Sequence, residues 1–573
     1  MNTNTESTLE RINRNDPNLK ELILAYPYFP RDADEWGELG WGIGRNTHIE
    51  TVELDFISWI GDENKHASFV RSFCQGICQN RSLQRFALKF CDFDLFDKGI
   101  LQELVPFLVH NQCLRVLDFY FSPIESGGAR LLGSTLERRT NKSIEKFVLS
   151  GTEMGLDDEG ESVNALLTSL KKYTHLKTLE LETNEIGQVG CNTISTLLTS
   201  TSSKLQKLDL RDSAIDNYKL ASLTSSLAKN TALQELDLGN NFSITATGWA
   251  PLLSLLRSPS CNLKNISLNE NNIDYDMTVA LVASLADNHT LTKLSLCGNP
   301  SITTPGFVAI STLLQIQGTH LEHLDLGEND LDDDVAVALS NSLANNCTLK
   351  TLILNDNPSI TTTGFVALSA IFQNPDTQLT FLDLTENNIN DDSAIAFATS
   401  LINNDKLNTL SLGTPPPLTS TGWAAFSRLL CNASSINNTY LSNHTLKSFG
   451  SSIRCVPGTE KVRTYLELNR IDKRCKKHKI LLAHFMGRFS MEHFADMKVE
   501  LLVHVLAWIS KSGFKFKSRK GNCRISQSAL FHFIRSEPSL FGRIDKTGSN
   551  VKGGVRRLAD RETDGKVWKK MRI

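Results

Sequence analysis

Leu321-Glu-His-Leu324-Asp-Leu326-Gly-Glu-Asn329, running on through Asp330-Leu-Asp-Asp-Asp334-Val-Ala-Val-Ala338-Leu339-Ser-Asn-Ser-Leu343, is the stretch that decides the fold. Apolar and polar residues alternate in its first part, the period-two pattern of a strand with one wet face. In its second part apolar residues recur at three- and four-residue spacing, the stripe of a helix packed on one side. One strand and one helix thus follow each other within thirty residues.

The strand phrase LxxLxL recurs with its first leucine at Leu176, Leu205, Leu233, Leu263, Leu291, Leu321, Leu349, Leu379 and Leu407, at spacings that alternate between 28 and 30 after a first gap of 29. Weaker copies start at Leu19, Ile49, Leu83, Leu114 and Ile144 upstream and at Ile436 downstream, which predicts about 15 units. The upstream copies carry Phe86, Phe119 and Phe147 where leucines stand elsewhere. A single unit cannot bury its apolar face alone, so neighbours must stack into one continuous core.

Three residues past the last strand leucine stands an asparagine: Asn184, Asn271, Asn299, Asn329, Asn357 or Asn387. Its amide can bond backbone where the chain turns out of the strand, and stacking would line these side chains into a ladder. Two flavours of unit alternate. One opens its helix with Ile244-Thr-Ala-Thr-Gly248-Trp249, matched at Ile302 to Phe307, Ile360 to Phe365 and Leu418 to Trp423, and its aromatic residue, Trp249 or Trp423 among them, is expected in the core. The other places acids there, as in Asp274 and Asp276, Asp332 to Asp334, and Asp391 with Asp392, where a helix N-terminus favours negative charge.

These features resemble the ribonuclease-inhibitor class of leucine-rich repeats, as does the phrase Ser258-Pro-Ser-Cys261-Asn-Leu263-Lys-Asn-Ile266-Ser-Leu268-Asn-Glu-Asn271. The same class supplies the repeat regions of NACHT-type receptors and of Ran GTPase-activating proteins. The resemblance implies an α/β fold, a leucine-rich-repeat solenoid or horseshoe with an inner parallel sheet and outer helices. It covers residues 49–443, regular from 176. Residues 1–48 are expected to form an N-terminal segment and cap and 444–510 a C-terminal cap. Tyr465-Leu-Glu-Leu-Asn469-Arg470 resembles the closing segment of algal and diatom proteins of this type. Residues 511–573 form a basic, partly helical tail with little fixed structure expected.

The fold leaves function open, because such scaffolds serve many partners. Side chains between the strand leucines face the concavity: Glu180, Asp209, Asp237, Ser267, Ser295, Asp325, Ile353, Asp383 and Ser411. A second position adds Asp212, Glu270, Glu328, Asp356 and Glu386. The net charge from 176 to 430 is −14, against +18 from 444 to 573. One reading is an acidic inner wall that attracts a basic protein partner; the other is that wet strand positions must be polar and that many of the acids cap helices. Phe381, read as exposed, is the candidate anchor beside Ile353. The opposed charges also admit a tail that folds over the groove. The basic runs Lys473 to Lys479 and Lys511 to Lys520 can bind phosphates, nucleic acid, acidic lipids or an import receptor.

No phosphate loop, dinucleotide turn, zinc-protease helix or nucleophile elbow occurs. The phrase from Asp330 to Asp334 lacks the glycine and glutamate of a calcium loop. The sequence therefore assigns no catalytic residue, no cofactor, no metal and no small-molecule substrate. Twelve scattered cysteines without CxxC pairs, no secretory signal at the start and no apolar run of about 18 residues point to a soluble cytoplasmic protein, with the basic runs leaving the nucleus open. The expected function is a protein-interaction scaffold. The rivals are a GTPase-activating protein resembling the Ran regulator, set against by a basic rather than acidic tail, and the sensor end of an immune-type receptor, set against by repeats that begin almost at once.

Overall fold

A computed structural model describes residues 8–26, 28–57, 62–316, 318–413, 418–450, 459–471, 475–484, 515–518 and 521–524. Most of the basic tail and half of the run from Lys473 to Lys479 lie outside the described residues or have no described side chains, and with them every expectation placed on the tail's charge. The described chain divides into two compact units: residues 1–400, 406–419 and 448–456, and residues 401–405, 420–447 and 457–573.

The first unit is built on one sheet of fourteen parallel strands. They are β1 (Glu21–Ala25), β2 (Thr51–Asp55), β3 (Arg85–Lys89), β4 (Val116–Tyr120), β5 (Lys146–Val148), β6 (Thr178–Glu180), β7 (Lys207–Asp209), β8 (Glu235–Asp237), β9 (Asn265–Ser267), β10 (Lys293–Ser295), β11 (His323–Asp325), β12 (Thr351–Ile353), β13 (Phe381–Asp383) and β14 (Thr409–Ser411). Spatial order equals chain order, and the middle leucines pair across neighbours in unbroken register, as Leu294, Leu324, Leu352, Leu382 and Leu410 do. Each of β1 to β13 is followed by a helix on the other side of the core. Parallel strands stand about 4.8 Å apart while packed helices need 8–10 Å, so the sheet must take the inside of the curve.

The leucines do what their spacing requires. Leu324, Leu326, Leu352 and Leu354 are fully buried, and so are Phe86, Phe119 and Phe147 in the upstream units. A buried side chain of this size contributes roughly 1.5–3 kcal/mol. Trp249 and Trp423 are buried as expected.

The asparagine ladder is present. Nδ2 of Asn299 donates to the carbonyls of Leu268 (3.0 Å), Leu296 (3.0 Å) and Cys297 (3.2 Å), while its Oδ1 accepts from the Asn271 amide at 3.1 Å. Asn271, Asn329, Asn357 and Asn387 take neighbouring rungs. A second ladder, on the return from helix to strand, went unread in the sequence. Asn80, Asn111, Asn230, Asn288 and Asn346 each stand three residues before a strand leucine, and each Oδ1 accepts the amide of that leucine. Nδ2 of Asn230, Asn288 and Asn346 reaches back to the last helical turn of the preceding unit, at Leu198, Leu256 and Leu314. Arg139 and Tyr173 fill the same role with a guanidinium to Leu108 and a hydroxyl to Leu136.

Helix capping accounts for Asp274, Asp332 and Asp333 among the acids at the helix starts. Asp274 and Asp332 accept the amides of Met277 (2.9 Å) and Val335 (3.0 Å) of their own helices. Asp333 caps the next unit's helix instead, accepting from the amides of Thr361 (2.8 Å) and Gly364 (3.0 Å).

The downstream copy expected at Ile436 is not a strand. Ser435 caps a short helix, Ile436–Leu441, through the Asn438 amide, because the Ser-x-x-Asn start outweighs one apolar residue in strand phase. In the first unit Ser448 instead meets the free edge of β14, its carbonyl accepting from the Leu410 amide at 3.1 Å, which blunts an edge open to further pairing.

The second unit holds the helices Ser420–Leu430, Ile436–Leu441, Glu460–Ile471 and Cys475–His484, and an antiparallel strand pair, Lys515–Ser518 with Gly521–Arg524. The second ladder's device recurs there. Asn443 Nδ2 donates to the carbonyls of Leu401 and Asn404, and the fully buried Lys479 ammonium donates to those of Leu430 (2.6 Å) and Asn443 (2.9 Å). Burial pulls Lys479 down to about 8. Burial and the neighbouring Lys479 hold His444, whose Nδ1 lies 3.2 Å from that ammonium, down at about 3. A histidine held neutral in the fold but protonated near 6.5 when unfolded supports the fold fully above 6.5, and that support is lost as pH falls toward 3. Amide exchange in Ile436–Leu441 is therefore expected to accelerate between pH 7 and pH 4.5 in wild type, beyond the intrinsic pH effect, and to do so much less in His444→Gln.

Candidate functional site

The open face of the sheet carries the polar residues of each strand in rows, because register is unbroken and side chains alternate. One row runs Glu180, Asp209, Asp237, Ser267, Ser295, Asp325, Ile353, Asp383, Ser411, each residue paired with the next. The expected strip is thus a physical row, and its members are half-buried or, for Ser295 and Ser411, buried.

Glu270, Glu328, Asp356 and Glu386 stand in a different row, at the rim where each strand ends. All four have left-handed backbone, with φ of 51°, 58°, 51° and 53°. The same conformation recurs one residue before each front-ladder asparagine, since the turn that delivers the asparagine to its carbonyls demands it. Asp212 lies in that row at φ 51°.

Phe381 sits in a third row, between Thr351 and Thr409, and is half-buried rather than exposed. Sheet neighbours on either side shield a side chain that alternation alone counts as wet. Ile353 is also half-buried and lies in the adjoining strand.

The charges on this face fall into two groups. From β2 to β9 most of the acids on this face, though not Asp212 or Asp237, are met by cations of the chain itself. Arg85 binds Glu53 (3.0 Å) and Asp118 (2.8 Å), and Lys89 binds Glu53 (2.7 Å). Glu180 sits between Lys146 (3.0 Å) and Lys207 (2.8 Å). Arg211 reaches Glu182 and, two units away, Glu270. Burial works to raise Glu180, but the bonds from Lys207 and Lys146 outweigh it and hold the carboxyl below its ordinary value. From β11 to β13 the pattern changes. Among the described residues, none of Asp325, Glu328, Asp356, Asp383 and Glu386 has a lysine or arginine within ion-pair distance. Asp325 accepts the Ser295 hydroxyl at 2.8 Å and the Gly327 amide at 3.1 Å, and Asp383 the Thr385 amide at 3.0 Å.

Asp209 and Asp237 form the junction. They are direct register partners, and Lys207 lies 3.7 Å from Asp209 alone. Burial, then the Asp237 charge, pushes Asp209 up to about 6.

A family model described as a leucine-rich repeat matches residues 319–340, 345–369 and 377–398, the part of the chain that holds β11 to β13. The ribonuclease inhibitor of Sus scrofa is 27% identical over 347 residues, covering 56% of this chain and 74% of that protein. Over the matched residues the chain carries leucine-rich repeats, similar to those of the ribonuclease inhibitor. The NACHT, LRR and PYD domains-containing protein 5 of Mus musculus is 28% identical over 312 residues, which are 54% of this chain. The chain spans about a quarter to a third of the length of the NACHT-type relatives it matches. Among solved structures, a chain in the yeast Rad7 and Elc1 complex aligns over 70% of this chain and 77% of its own length at 13% identity, with a TM-score of 0.36.

The described cysteines are all free. No helix among the described residues is long and apolar enough to cross a membrane.

Proposed function

We propose that the chain is a protein-recognition scaffold whose docking surface is the open sheet face at β11 to β13, and that its partner presents a basic patch there. The observation that carries this reading is the division of charge just described. Where the chain supplies its own cations, the acids are already satisfied and gain little from a partner; Asp325, Glu328, Asp356, Asp383 and Glu386 retain their charge for one. Phe381 and Ile353 add apolar surface in their midst, and a half-buried aromatic flanked by charge is a common centre of binding energy. Glu180 and Glu270, neutralised from within, are assigned a supporting rather than a contacting part. Asp209 and Asp237 border the site.

A preformed sheet braced by two asparagine ladders loses little conformational freedom on binding, which favours recognition. Binding rather than catalysis is the reading that the ribonuclease-inhibitor relative supports, and it requires neither a cofactor nor a small-molecule substrate. We place the protein in the cytoplasm, in keeping with ten free cysteines among the described residues.

The test is affinity capture from cells with the full chain, a variant carrying Asp325→Asn, Asp356→Asn, Asp383→Asn and Glu386→Gln, and a control carrying Asp276→Asn and Asp287→Asn on the helical side. Partners held by wild type and control but lost from the quadruple variant are the expected result, and their release should steepen with ionic strength. An identical partner list for all three forms would remove this face from consideration.

A further inference from the structure

Beyond the sheet face, at the rim where strands turn into helices, lies a groove of about 330 Å³ spanning the units of β5 to β8. Leu156 and Phe242 are among the residues that line it, and they are 63% and 57% exposed. Ala214, Glu153, Glu185 and Asp212 line it as well. No lysine or arginine among the described residues lies within ion-pair distance of these three acids. The volume is at the low end for ligand pockets, about 300–1,000 Å³, which suits one long side chain better than a cofactor.

We infer that this groove receives a lysine or arginine side chain from a protein partner. The match is one of chemistry: such a side chain has an aliphatic stem that covers apolar surface and a cationic head that stays with charge or water. Leu156 and Phe242 offer walls for the stem, and Phe242 also offers a ring face to the cation. Glu153, Glu185 and Asp212 supply carboxylates that form no ion pair among the described residues, the nearby Lys219 ammonium being engaged with the Ala214 carbonyl at 2.8 Å. A wholly apolar residue would leave the carboxylates unmet, and an anion would be repelled.

The surroundings favour a protein segment as the source. Asp212 belongs to the rim row of left-handed residues, and farther along the same row stand Phe121 and Phe90, also left-handed at φ 47° and 55°. Their rings stack at 6.0 Å, with Tyr120 edge-on to both. Gly151 lies between them and the groove, and a Cβ there would come 2.7 Å from the Phe121 ring, so only glycine lets the ring lie flat. Phe121 is three units from Asp212, about 14 Å at strand spacing, which about four residues of extended chain would span. The partner segment accordingly carries an apolar residue about four positions from its basic one.

The site is separate from β11 to β13, and its test reads a small probe at local methyl groups, so either reading can fail alone. The probe is n-butylguanidinium, titrated into the full chain with methyl-labelled leucine, valine and alanine, with n-pentanol as its uncharged counterpart. Saturable shifts of the Leu156 and Ala214 methyl signals with n-butylguanidinium, and much weaker ones with n-pentanol, are the expected result. Asp212→Asn, which preserves a residue tolerant of left-handed backbone, should weaken the affinity by about two- to fivefold, as should Glu185→Gln. Equal response to the two probes, no response at Leu156 and Ala214, or shifts at Ala87 and Val148 on the sheet face as large as those at the groove would overturn the assignment.

Discussion

Asp209→Asn is expected to make the first unit more stable at pH 7, by about 1–3 kcal/mol. Asp209 is 14% exposed and directly beside Asp237, and its folded value of about 6 lies above the ordinary 3.8. A carboxyl raised in the folded state supports the fold fully below pH 3.8, and that support is lost as pH rises through 6. Above 6 the ionised form costs what the shift of about two units is worth, about 3 kcal/mol at most. Asparagine keeps an oxygen for the Arg211 amide, now 3.2 Å from Oδ1, and removes the charge. Urea midpoints of wild type and variant should differ at pH 7 and converge near pH 4. A gap of equal size at both pH values would show that the gain is not electrostatic. A sequence that tolerates such a cost is placing two carboxylates side by side on its open face.

Asn357→Ala is expected to be among the most damaging single changes, costing about 4 kcal/mol or more. Asn357 is fully buried. Its Nδ2 donates to the carbonyls of Leu326 (3.2 Å), Leu354 (3.1 Å) and Asn355 (3.0 Å), and its Oδ1 accepts the amides of Asn329 (3.2 Å) and Leu331 (2.9 Å). Truncation strands buried backbone groups in two adjacent turns, and each unmet group costs about 1–3 kcal/mol. The exposed Asn388, with one bond to the Pro358 carbonyl at 2.9 Å, is the matched control, and Asn388→Ala should lie within about 0.5 kcal/mol of wild type. Denaturant unfolding of both variants measures the contrast. Similar midpoints for the two would mean that the front ladder contributes little.

The sheet was legible because its cause is periodic: a leucine every 28 or 30 residues fixes which side chains go inward, whatever the polar residues are. Units with Phe86, Phe119 and Phe147 joined it since a larger apolar residue still fills the same position. Ile436 misled because one apolar residue in phase carries no weight against a helix cap at Ser435. The second ladder escaped notice for another reason. Asn80, Asn111, Asn230, Asn288 and Asn346 share a position, but Arg139, Tyr173 and Lys479 meet the same backbone demand with different chemistry, so the asparagine does not recur in every unit. An asparagine three residues before Leu83, Leu114, Leu233, Leu291 and Leu349 was the available signal.

The candidate site was legible as a row but not as a balance of charge. Alternation told which residues share the open face. It did not tell that Lys207 lies between Glu180 and Asp209, or that Arg211 reaches Glu270 two units on, since those pairings depend on side-chain reach across neighbouring strands. Phe381 shows the same limit, its exposure set by Thr351 and Thr409 on either side.

The claim on which the function rests is that the unneutralised acids of β11 to β13 meet a partner's cations. Zero-length carboxylate-to-lysine cross-linking of the full chain with its captured partner, mapped by mass spectrometry, tests it most directly. Links from the partner's lysines to Asp325, Asp356, Asp383 or Glu386 are predicted. Links confined to acids on the helical side, such as Asp276 and Asp287, would contradict it.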